Sequence, residues 1–308
     1  MQYQNIKNGP SEVSRIILGC MRMPSLSVQE AARQIEKAVE GGINFFDHAT
    51  CYGRGEAEKR FGDALRETSI KREDLRIQSK CGLCFERNEF DWTKENILTS
   101  VDESLQRLKM DYLDALLLHR PDLIYDPEEV AEAFEALEKS GKVRFFGVSN
   151  VPMMQLKVLK KFGKQPLSIN QIQLSITASQ LIDQTLYVND LTTDLSLDRD
   201  NGLLDYCRLE DITIQAWSPL QFGKFEGCFV DHPDFPELNQ ALSELAEKYK
   251  VSKTAIAIAW ILRHPAKMQV IAGTMNPKHL EDYCEATKVE LTHHEWYQLY
   301  LASGKKLP

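Results

Sequence analysis

Four side chains that could take part in proton transfer stand where short apolar runs of the sequence end. They are a carboxylate, a phenol, an ammonium and an imidazole: Asp47, Tyr52, Lys80 and His119. Asp47 and Lys80 each follow an apolar stretch, so each charge would need the other, and removing one partner of such a buried pair costs ~3–5 kcal/mol. A cation beside Tyr52 would favour the phenolate and lower the pKa of Tyr52 from its reference value of ~10. The pattern therefore predicts that Tyr52 is a general acid, with His119 placed to orient a carbonyl group or to share in the proton relay.

Each of these residues also has an ordinary structural interpretation. An Asp–Lys pair is more often structural than catalytic, and a Tyr or His that follows a strand often serves only in packing. The occurrence of four such groups at three neighbouring strand ends favours a catalytic role over a purely structural one. A metal-dependent hydrolase would instead need a cluster such as His-x-His with later His and Asp ligands. The seven histidines form no such cluster, so no metal is expected.

A repeated unit of apolar strand, polar turn and amphipathic helix would position these groups. The predicted strands cover residues 15–19, 44–47, 75–79, 112–118, 142–148, 168–174, 212–217 and 268–272. Helical periodicity predicts helices over 28–40, 56–65, 94–108, 127–139 and 152–162. Eight units in about 300 residues favour closure of a parallel sheet into a barrel.

We therefore predict an α/β fold, a (β/α)8 TIM barrel that forms a single domain over residues 1–308. A doubly wound sheet would carry a glycine-rich fingerprint after its first strand, and residues 19–23 (GCMRM) lack one. Extra loops are expected, including the polar stretch 186–200, and a C-terminal helix would start at the capping box of residues 292–295. In such a barrel the strand ends converge on one mouth, where chemistry gathers.

Composition excludes several classes of protein. The 308 residues carry a formal net charge of −8 without a basic stripe, which argues against a nucleic-acid partner. No apolar run approaches the ~20 residues of a membrane helix, and the first fifteen residues hold no signal-peptide core. We expect a cytoplasmic protein with no membrane partner. Nothing in the sequence suggests an interface between copies, so a monomer is expected.

The seven cysteines are scattered and odd in number, which does not suit a disulfide framework. Cys81 and Cys84 form a C-x-x-C spacing. A zinc site would need a second pair of ligands, and a redox motif would open a helix, whereas residues 85–92 are predicted to form a loop. We interpret Cys81 and Cys84 as ordinary thiols.

Motifs along nearly the whole chain resemble those of the aldo-keto reductases, NAD(P)H-dependent carbonyl reductases built on a (β/α)8 barrel. Residues 118–122 (LHRPD), 141–150 (GKVRFFGVSN) and 216–218 (AWS) are similar to a bacterial branch of that family. The resemblance implies that Tyr52 donates a proton, that Lys80 and Asp47 depress its pKa, and that His119 orients the substrate carbonyl.

The resemblance also implies a cofactor site. Ser149, Asn150 and Gln171 would bind the nicotinamide carboxamide, and Trp217 would stack on the nicotinamide ring. Residues 218–224 would run along the pyrophosphate, and residues 273–282 would hold the adenosine end. The full set of implied cofactor contacts is Gly19, Met21, Asp47, Ser149, Asn150, Gln171, Trp217, Ser218, Pro219, Leu220, Gln221, Gly223, Lys224, Gly273, Thr274, Met275, Asn276, His279 and Asp282.

The chain departs from the family pattern at the adenosine end. Many members that prefer NADPH have Lys in place of Gly273 and Arg in place of His279. A 2′-phosphate favours a permanent cation, which His supplies only when protonated. Thr274, Lys278 and the start of the following helix can compensate, so NADPH is the expected cofactor and NADH the alternative.

The resemblance thus implies an enzyme that reduces the aldehyde or ketone group of a small molecule to an alcohol. The alternative is a nicotinamide-binding regulatory or accessory module with little turnover. Substrate identity would depend on the loops, which the sequence alone does not interpret.

Overall fold

Eight parallel strands close into a barrel in the computed structural model, which describes residues 1–85, 87–187, 193–197, 202–223 and 226–308. The barrel strands are β1 Ile16–Gly19, β2 Phe45–Asp47, β3 Arg76–Cys81, β4 Leu113–Leu118, β5 Val143–Ser149, β6 Leu167–Gln173, β7 Thr213–Trp217 and β8 Gln269–Ala272. Their order is β6-β7-β8-β1-β2-β3-β4-β5, and each neighbouring pair is parallel. The predicted (β/α)8 TIM barrel is confirmed, with every strand end within two residues of its predicted position.

At least one helix follows each barrel strand. The helices are α1 Val28–Glu40, α2 Glu56–Leu65, α3 Lys94–Leu108, α4 Pro127–Lys139, α5 Met153–Phe162, α6 Gln180–Leu186, α7 Leu203–Leu209, α8 Pro236–Tyr249, α9 Lys253–Leu262, α10 Pro277–Ala286 and α11 His293–Ala302. The C-terminal helix α11 contacts α8, which in turn contacts α9. None of the helices that the structure describes combines the length and the apolar character needed to cross a bilayer.

Local sequence sets where the helices begin. Ser27 and Glu30 form a capping box before α1, and Thr292 and Glu295 form another before α11, as predicted. Asp126 caps α4, whose first residue is a proline. These short-range signals explain why α1, α4 and α11 begin where the sequence predicts.

Two apolar layers surround the strands. The outer layer lies between the sheet and the helices, while a smaller cluster fills the barrel interior with side chains such as Ile17, Phe45 and Leu117. A two-stranded antiparallel hairpin, Tyr3–Gln4 with Val13–Ser14, adds Val13 to this inner cluster. The interior is therefore packed at the amino ends of the strands, and polar side chains occupy the carboxyl ends.

Helices α2 and α3 approach each other closely at Gly62. A Cβ atom there would lie 2.6 Å from the carbonyl oxygens of both Arg107 and Leu108. Only glycine leaves room for this contact, which fixes α2 at the end of the segment that carries Tyr52.

One short element differs from the prediction. Residues 85–92 are not entirely loop, because Glu89–Phe90 pairs antiparallel with Leu83–Cys84. Strands of two residues contain no periodicity that a sequence could reveal.

Candidate active site

An ion pair lies at the carboxyl ends of β2 and β3. The Nζ atom of Lys80 is 2.7 and 2.8 Å from the two carboxylate oxygens of Asp47, and it donates to the carbonyl oxygen of His48 at 2.8 Å. Lys80 Nζ also lies 3.0 Å from the hydroxyl oxygen of Tyr52. Lys80 is fully buried and Asp47 is 1% exposed, so the structure brings three of the four predicted groups into direct contact.

The backbone after β2 carries Tyr52 to this position. The N–H of Thr50 donates to the carbonyl oxygen of Lys80, which continues the β2–β3 pairing beyond the end of β2. Gly53 and Arg54 then adopt left-handed conformations, and α2 starts at Glu56. This tight turn holds the Tyr52 side chain beside β3.

The pKa of Tyr52 differs from the sequence prediction. Burial raises the pKa of Tyr52 to about 12, while the Lys80 cation acts in the opposite direction. The expected net lowering is therefore wrong for the chain without a bound molecule, because the cost of burying a phenolate exceeds the attraction of Lys80. Tyr52 is a protonated phenol at neutral pH.

Lys80 is charged in spite of its burial. Burial lowers the pKa of Lys80, but attraction to Asp47 and Tyr52 outweighs it, so the pKa lies above its ordinary value. A permanent ammonium thus contacts the Tyr52 hydroxyl.

His119 follows β4 and lies beside the ring of Tyr52. The two rings meet edge to face with centroids 5.8 Å apart, and His119 Nδ1 is 3.4 Å from the Sγ atom of Cys51. Burial holds the pKa of His119 well below its ordinary value, and the charges of Lys80 and Arg120 lower it further. The imidazole is neutral and able to orient a polar group by hydrogen bonding.

Glutamine side chains hold Asp47 from inside the barrel. Oδ1 of Asp47 accepts hydrogen bonds from Gln78 Nε2 at 2.6 Å and from Gln171 Nε2 at 3.0 Å. Both amides also donate to Oε1 of Gln215, at 2.8 and 3.2 Å. Gln171, which is predicted to bind the cofactor carboxamide, thus uses its Nε2 atom to contact the Asp47 carboxylate.

The chain of amides continues down the barrel. Gln215 Nε2 donates to Gln269 Oε1 at 3.0 Å, and Gln269 Nε2 donates to the carbonyl oxygen of Ser14 at 2.8 Å. Sequence reasoning missed Gln78, Gln215 and Gln269. A signal was available, because each is a polar residue within an apolar strand.

The predicted nicotinamide contacts form one cluster at the mouth. Asn150 Nδ2 donates to Ser149 Oγ at 2.8 Å, and Trp217 Nε1 donates to Asn150 Oδ1 at 3.0 Å. Ser149 Oγ donates to the carbonyl oxygen of Gln171 at 3.0 Å. The structure brings these four residues together and leaves Trp217 half-buried.

The segment after β7 forms a turn and a short hairpin. The N–H of Gln221 donates to the carbonyl oxygen of Ser218, and Gln173 Nε2 donates to the carbonyl oxygen of Gly223 at 2.6 Å. Oε1 of Gln221 is buried without a hydrogen-bond partner among the described residues. Pro219 and Leu220 complete the turn, while Lys224 lies outside the described residues.

The predicted adenosine segment connects β8 to α10. Thr274 Oγ1 accepts from the N–H of Asn276 at 3.1 Å, and the Asn276 side chain caps α10. Three further predicted residues occupy this region, with Met275 and Asp282 half-buried and His279 exposed.

Arg22 reaches the same segment and was missed by the sequence prediction. Its Nη1 atom donates to the carbonyl oxygen of Gly273 at 2.6 Å. Arg22 lies in the 3₁₀ turn Cys20–Ser25 after β1, and β1 pairs with β8. Closure of the barrel therefore brings the Arg22 side chain beside Gly273, a residue that has no side chain of its own.

Two other predicted contacts lie at the end of β1. Gly19 pairs with Asp47 in the register, and a Cβ at Gly19 would come 2.7 Å from Cγ2 of Ile271, so packing alone requires a glycine there. Met21 is 40% exposed in the following turn.

Burial raises the pKa of both thiols of the C-x-x-C pair, although the Arg87 guanidinium, 3.5 Å from Sγ of Cys84, opposes the rise in the pKa of Cys84. Burial raises the pKa of Cys81 to about 12, and Cys84 is a free, half-buried thiol. No group of three His, Cys, Asp or Glu side chains suited to a metal ion occurs within the described ranges.

A (β/α)8 barrel with ionisable side chains at the carboxyl ends of its strands has the architecture of the barrel enzymes. Residues 15–300 match the model of the Aldo/keto reductase family. The chain therefore belongs to the aldo/keto reductase family and is an oxidoreductase.

Similar proteins cover the chain over nearly its full length. It is 34% identical to the uncharacterized oxidoreductase YcsN of Bacillus subtilis, over 96% of this chain and 97% of that protein. It is 32% identical to a 6-dehydroglucose reductase of Agrobacterium fabrum, over 96% of each. A crystal structure of an aldo-keto reductase from Klebsiella pneumoniae in complex with NADPH matches with a TM-score of 0.76 at 23% identity, over 97% of this chain and 94% of that one. At 23% identity, the similarity to the Klebsiella structure shows that the two chains share a fold.

Proposed function

We propose that the protein is an NADPH-dependent carbonyl reductase that converts the aldehyde or ketone group of a small molecule to an alcohol. The observation that carries the proposal is the contact of the Tyr52 hydroxyl with Lys80, 3.0 Å away, whose ammonium is bound by both oxygens of Asp47. The Agrobacterium relative is a reductase by name, which supports reduction as the direction of the reaction.

When bound, a reduced nicotinamide supplies a hydride to the carbonyl carbon. The protonated hydroxyl of Tyr52 then donates its proton to the carbonyl oxygen. Lys80 stabilises the phenolate that remains, and Asp47 keeps Lys80 charged and in place. His119, as a neutral imidazole, orients the carbonyl oxygen toward Tyr52.

The side chains at the mouth fit a nicotinamide. Ser149 and Asn150 present hydroxyl and amide groups beside the half-buried ring of Trp217, which suits a flat ring with a carboxamide substituent.

Positive charge at the adenosine end supports NADPH over NADH. A Cβ at Gly273 would lie 3.1 Å from Nη1 of Arg22, so the absence of a side chain at Gly273 leaves space for that guanidinium. Arg22 is a permanent cation, and the amino end of α10 offers further N–H groups to an anion. We infer that Arg22 replaces the lysine that many family members have at the position of Gly273.

Turnover by a Tyr52→Phe variant tests the proposal. Oxidation of NADPH and of NADH would be followed with a panel of aldehydes, ketones and quinones. We expect Tyr52→Phe to lose about 100-fold or more in kcat while binding NADPH as the wild type does. Tyr112→Phe is the matched control, because Tyr112 lies between Arg72 and Arg144 rather than beside Lys80. Wild-type turnover by Tyr52→Phe would refute the role of Tyr52, and cofactor binding with no carbonyl reduction would favour the accessory module.

Cofactor affinity tests the role of Arg22. Arg22→Met should raise the Kd for NADPH about tenfold more than the Kd for NADH, measured from the fluorescence of the bound reduced nicotinamide. Arg66→Met, at an exposed position that follows α2, removes the same charge elsewhere and should leave both Kd values within twofold or so. Equal weakening of both cofactors would contradict the assignment to the 2′-phosphate.

A further inference from the structure

Arg120 is a cation at the barrel mouth that the proposed mechanism does not use. It follows His119 at the end of β4 and is half-buried. Its guanidinium carbon lies 5.6 Å from the centroid of the Trp217 ring. Within the described part of the chain, the guanidinium has neither an ion-pair nor a hydrogen-bond partner.

The charges in contact with Tyr52 and His119 are already balanced. Lys80 is neutralised by Asp47, while Tyr52 and His119 are uncharged at neutral pH. Of the charged groups named here, Arg120 is the one whose charge is not balanced. Burial lowers the pKa of its guanidinium, although Tyr52 and Cys51 oppose that effect.

The carboxylate closest to Arg120 in sequence has other partners. Asp122 is 5% exposed, and its two oxygens accept hydrogen bonds from the backbone N–H groups of Trp92 and Ile124, at 2.9 and 3.0 Å. Those bonds hold the carboxylate within its own loop and account for its burial.

We propose that Arg120 binds a carboxylate group of the substrate, so that the preferred substrates are carbonyl compounds that also carry a carboxylate, such as short oxo acids. The planar guanidinium matches a carboxylate with two parallel hydrogen bonds, and contact with the Trp217 ring restricts its orientation. Because the Arg120 guanidinium lies by the Trp217 ring at the same barrel mouth as Tyr52 and His119, the carbonyl group and the carboxylate would belong to one small molecule. This inference rests on the proposed carbonyl reduction.

A matched pair of substrates tests it. The probes are 4-formylbenzoate and its methyl ester, which carry the same aldehyde and differ in the charge. For the wild-type enzyme with NADPH, we expect kcat/KM to be about tenfold to a hundredfold higher for the acid. Arg120→Met should bring this ratio close to one, and Arg120→Lys should keep part of it because the charge remains without the planar fork. Arg66→Met should keep the wild-type ratio.

A binding measurement separates failure of this inference from failure of the proposed function. Benzoate and methyl benzoate would be titrated by calorimetry into the enzyme loaded with NADP⁺, using variants whose unfolding temperatures match the wild type. Benzoate binding that is lost in Arg120→Met, in a protein that reduces no aldehyde, would support the carboxylate site and refute the reductase. Aldehyde reduction with equal kcat/KM for acid and ester, or benzoate binding that does not depend on Arg120, would overturn the carboxylate site.

Discussion

Replacement of Asp47 by asparagine should destabilise and inactivate the protein more than the small change in side-chain volume suggests. In the wild type, Lys80 contacts both oxygens of Asp47, the carbonyl oxygen of His48 and the hydroxyl of Tyr52. The variant keeps the last two contacts but leaves the ammonium without a counter-ion in a site that is 0% exposed. Removing one partner of a buried ion pair costs ~3–5 kcal/mol.

The expected loss is large compared with the total stability. A free energy of unfolding of ~5–15 kcal/mol is typical of a folded protein, so the variant would lose about a fifth or more of it. With a urea dependence of ~3 kcal/mol per molar, the unfolding midpoint should fall by about 1 M or more. The pKa of Lys80 should also fall, because burial would no longer be opposed by Asp47. Reduction by the variant should therefore decrease further as pH rises.

A second buried aspartate provides the control. Asp114 lies in β4, is 2% exposed, and accepts from Arg72 at 2.7 Å and from the N–H of Ile77 at 2.8 Å. Asp114→Asn should lower stability but retain kcat, whereas Asp47→Asn should lose both. Adding Lys80→Met to Asp47→Asn should recover part of the stability and none of the activity. If Asp47→Asn moves the urea midpoint by less than about 0.3 M and keeps kcat, the energetic reasoning is wrong.

Three further outcomes follow from the described geometry. Since the pKa of Tyr52 is raised to about 12, the rate of carbonyl reduction in steady-state assays should be nearly constant between about pH 6 and about pH 9. The rate of alcohol oxidation, which needs the phenolate, should increase with pH. A reduction rate that halves near pH 7 would contradict this. Burial lowers the pKa of His48 to about 3, so the unfolded chain, with a His pKa of ~6.5, binds more protons between those values. This contribution to the free energy of unfolding should be fully present above about pH 6.5 and fall by up to ~1.4 kcal/mol per pH unit below it. The His48 ring has no hydrogen-bond partner among the described residues, so His48→Leu should reduce that slope in urea titrations at several pH values. Gly62→Ala should destabilise the folded protein by ~1–3 kcal/mol, because the strain against backbone oxygens of α3 exceeds the gain in helix propensity. An unfolding temperature at or above that of the wild type would show that α2 and α3 can separate at no cost.

The barrel was predictable because its signals are local and repeated. Several helix starts depend on side chains within three residues, as Ser27 and Glu30 show before α1 and Thr292 and Glu295 show before α11. Strand register depends on pairing between distant segments. The short hairpin of Glu89–Phe90 with Leu83–Cys84 is local, but strands of two residues are too short for the sequence to show a periodicity.

The candidate site was predictable in its members but not in its electrostatics. Asp47, Tyr52, Lys80 and His119 meet because the carboxyl ends of parallel strands converge, which is a property of the fold class. The sign of the Tyr52 pKa shift was wrong, because the sequence shows which charge is near and not how deeply the phenol is buried.

The residues that the sequence prediction missed were hidden for a different physical reason. Arg22 approaches Gly273 because β1 and β8, which are the first and last strands, become neighbours when the barrel closes. Gln215 lies between Gln171 and Gln269 because the three positions are aligned in the register. Contacts of this kind join residues that are far apart in the chain.

Amides are well suited to hold the buried ion pair. Gln78 and Gln171 add two hydrogen bonds to Asp47 without adding charge, so the pair with Lys80 stays electrically balanced. A glutamate at position 78 would place a second negative charge beside Asp47, and a leucine would leave Oδ1 with one fewer donor. Because the amide chain continues to Gln269 and the backbone of Ser14, the orientation of Asp47 is tied to the opposite end of the barrel. The glutamines therefore orient Asp47 without changing the net charge of its pair with Lys80.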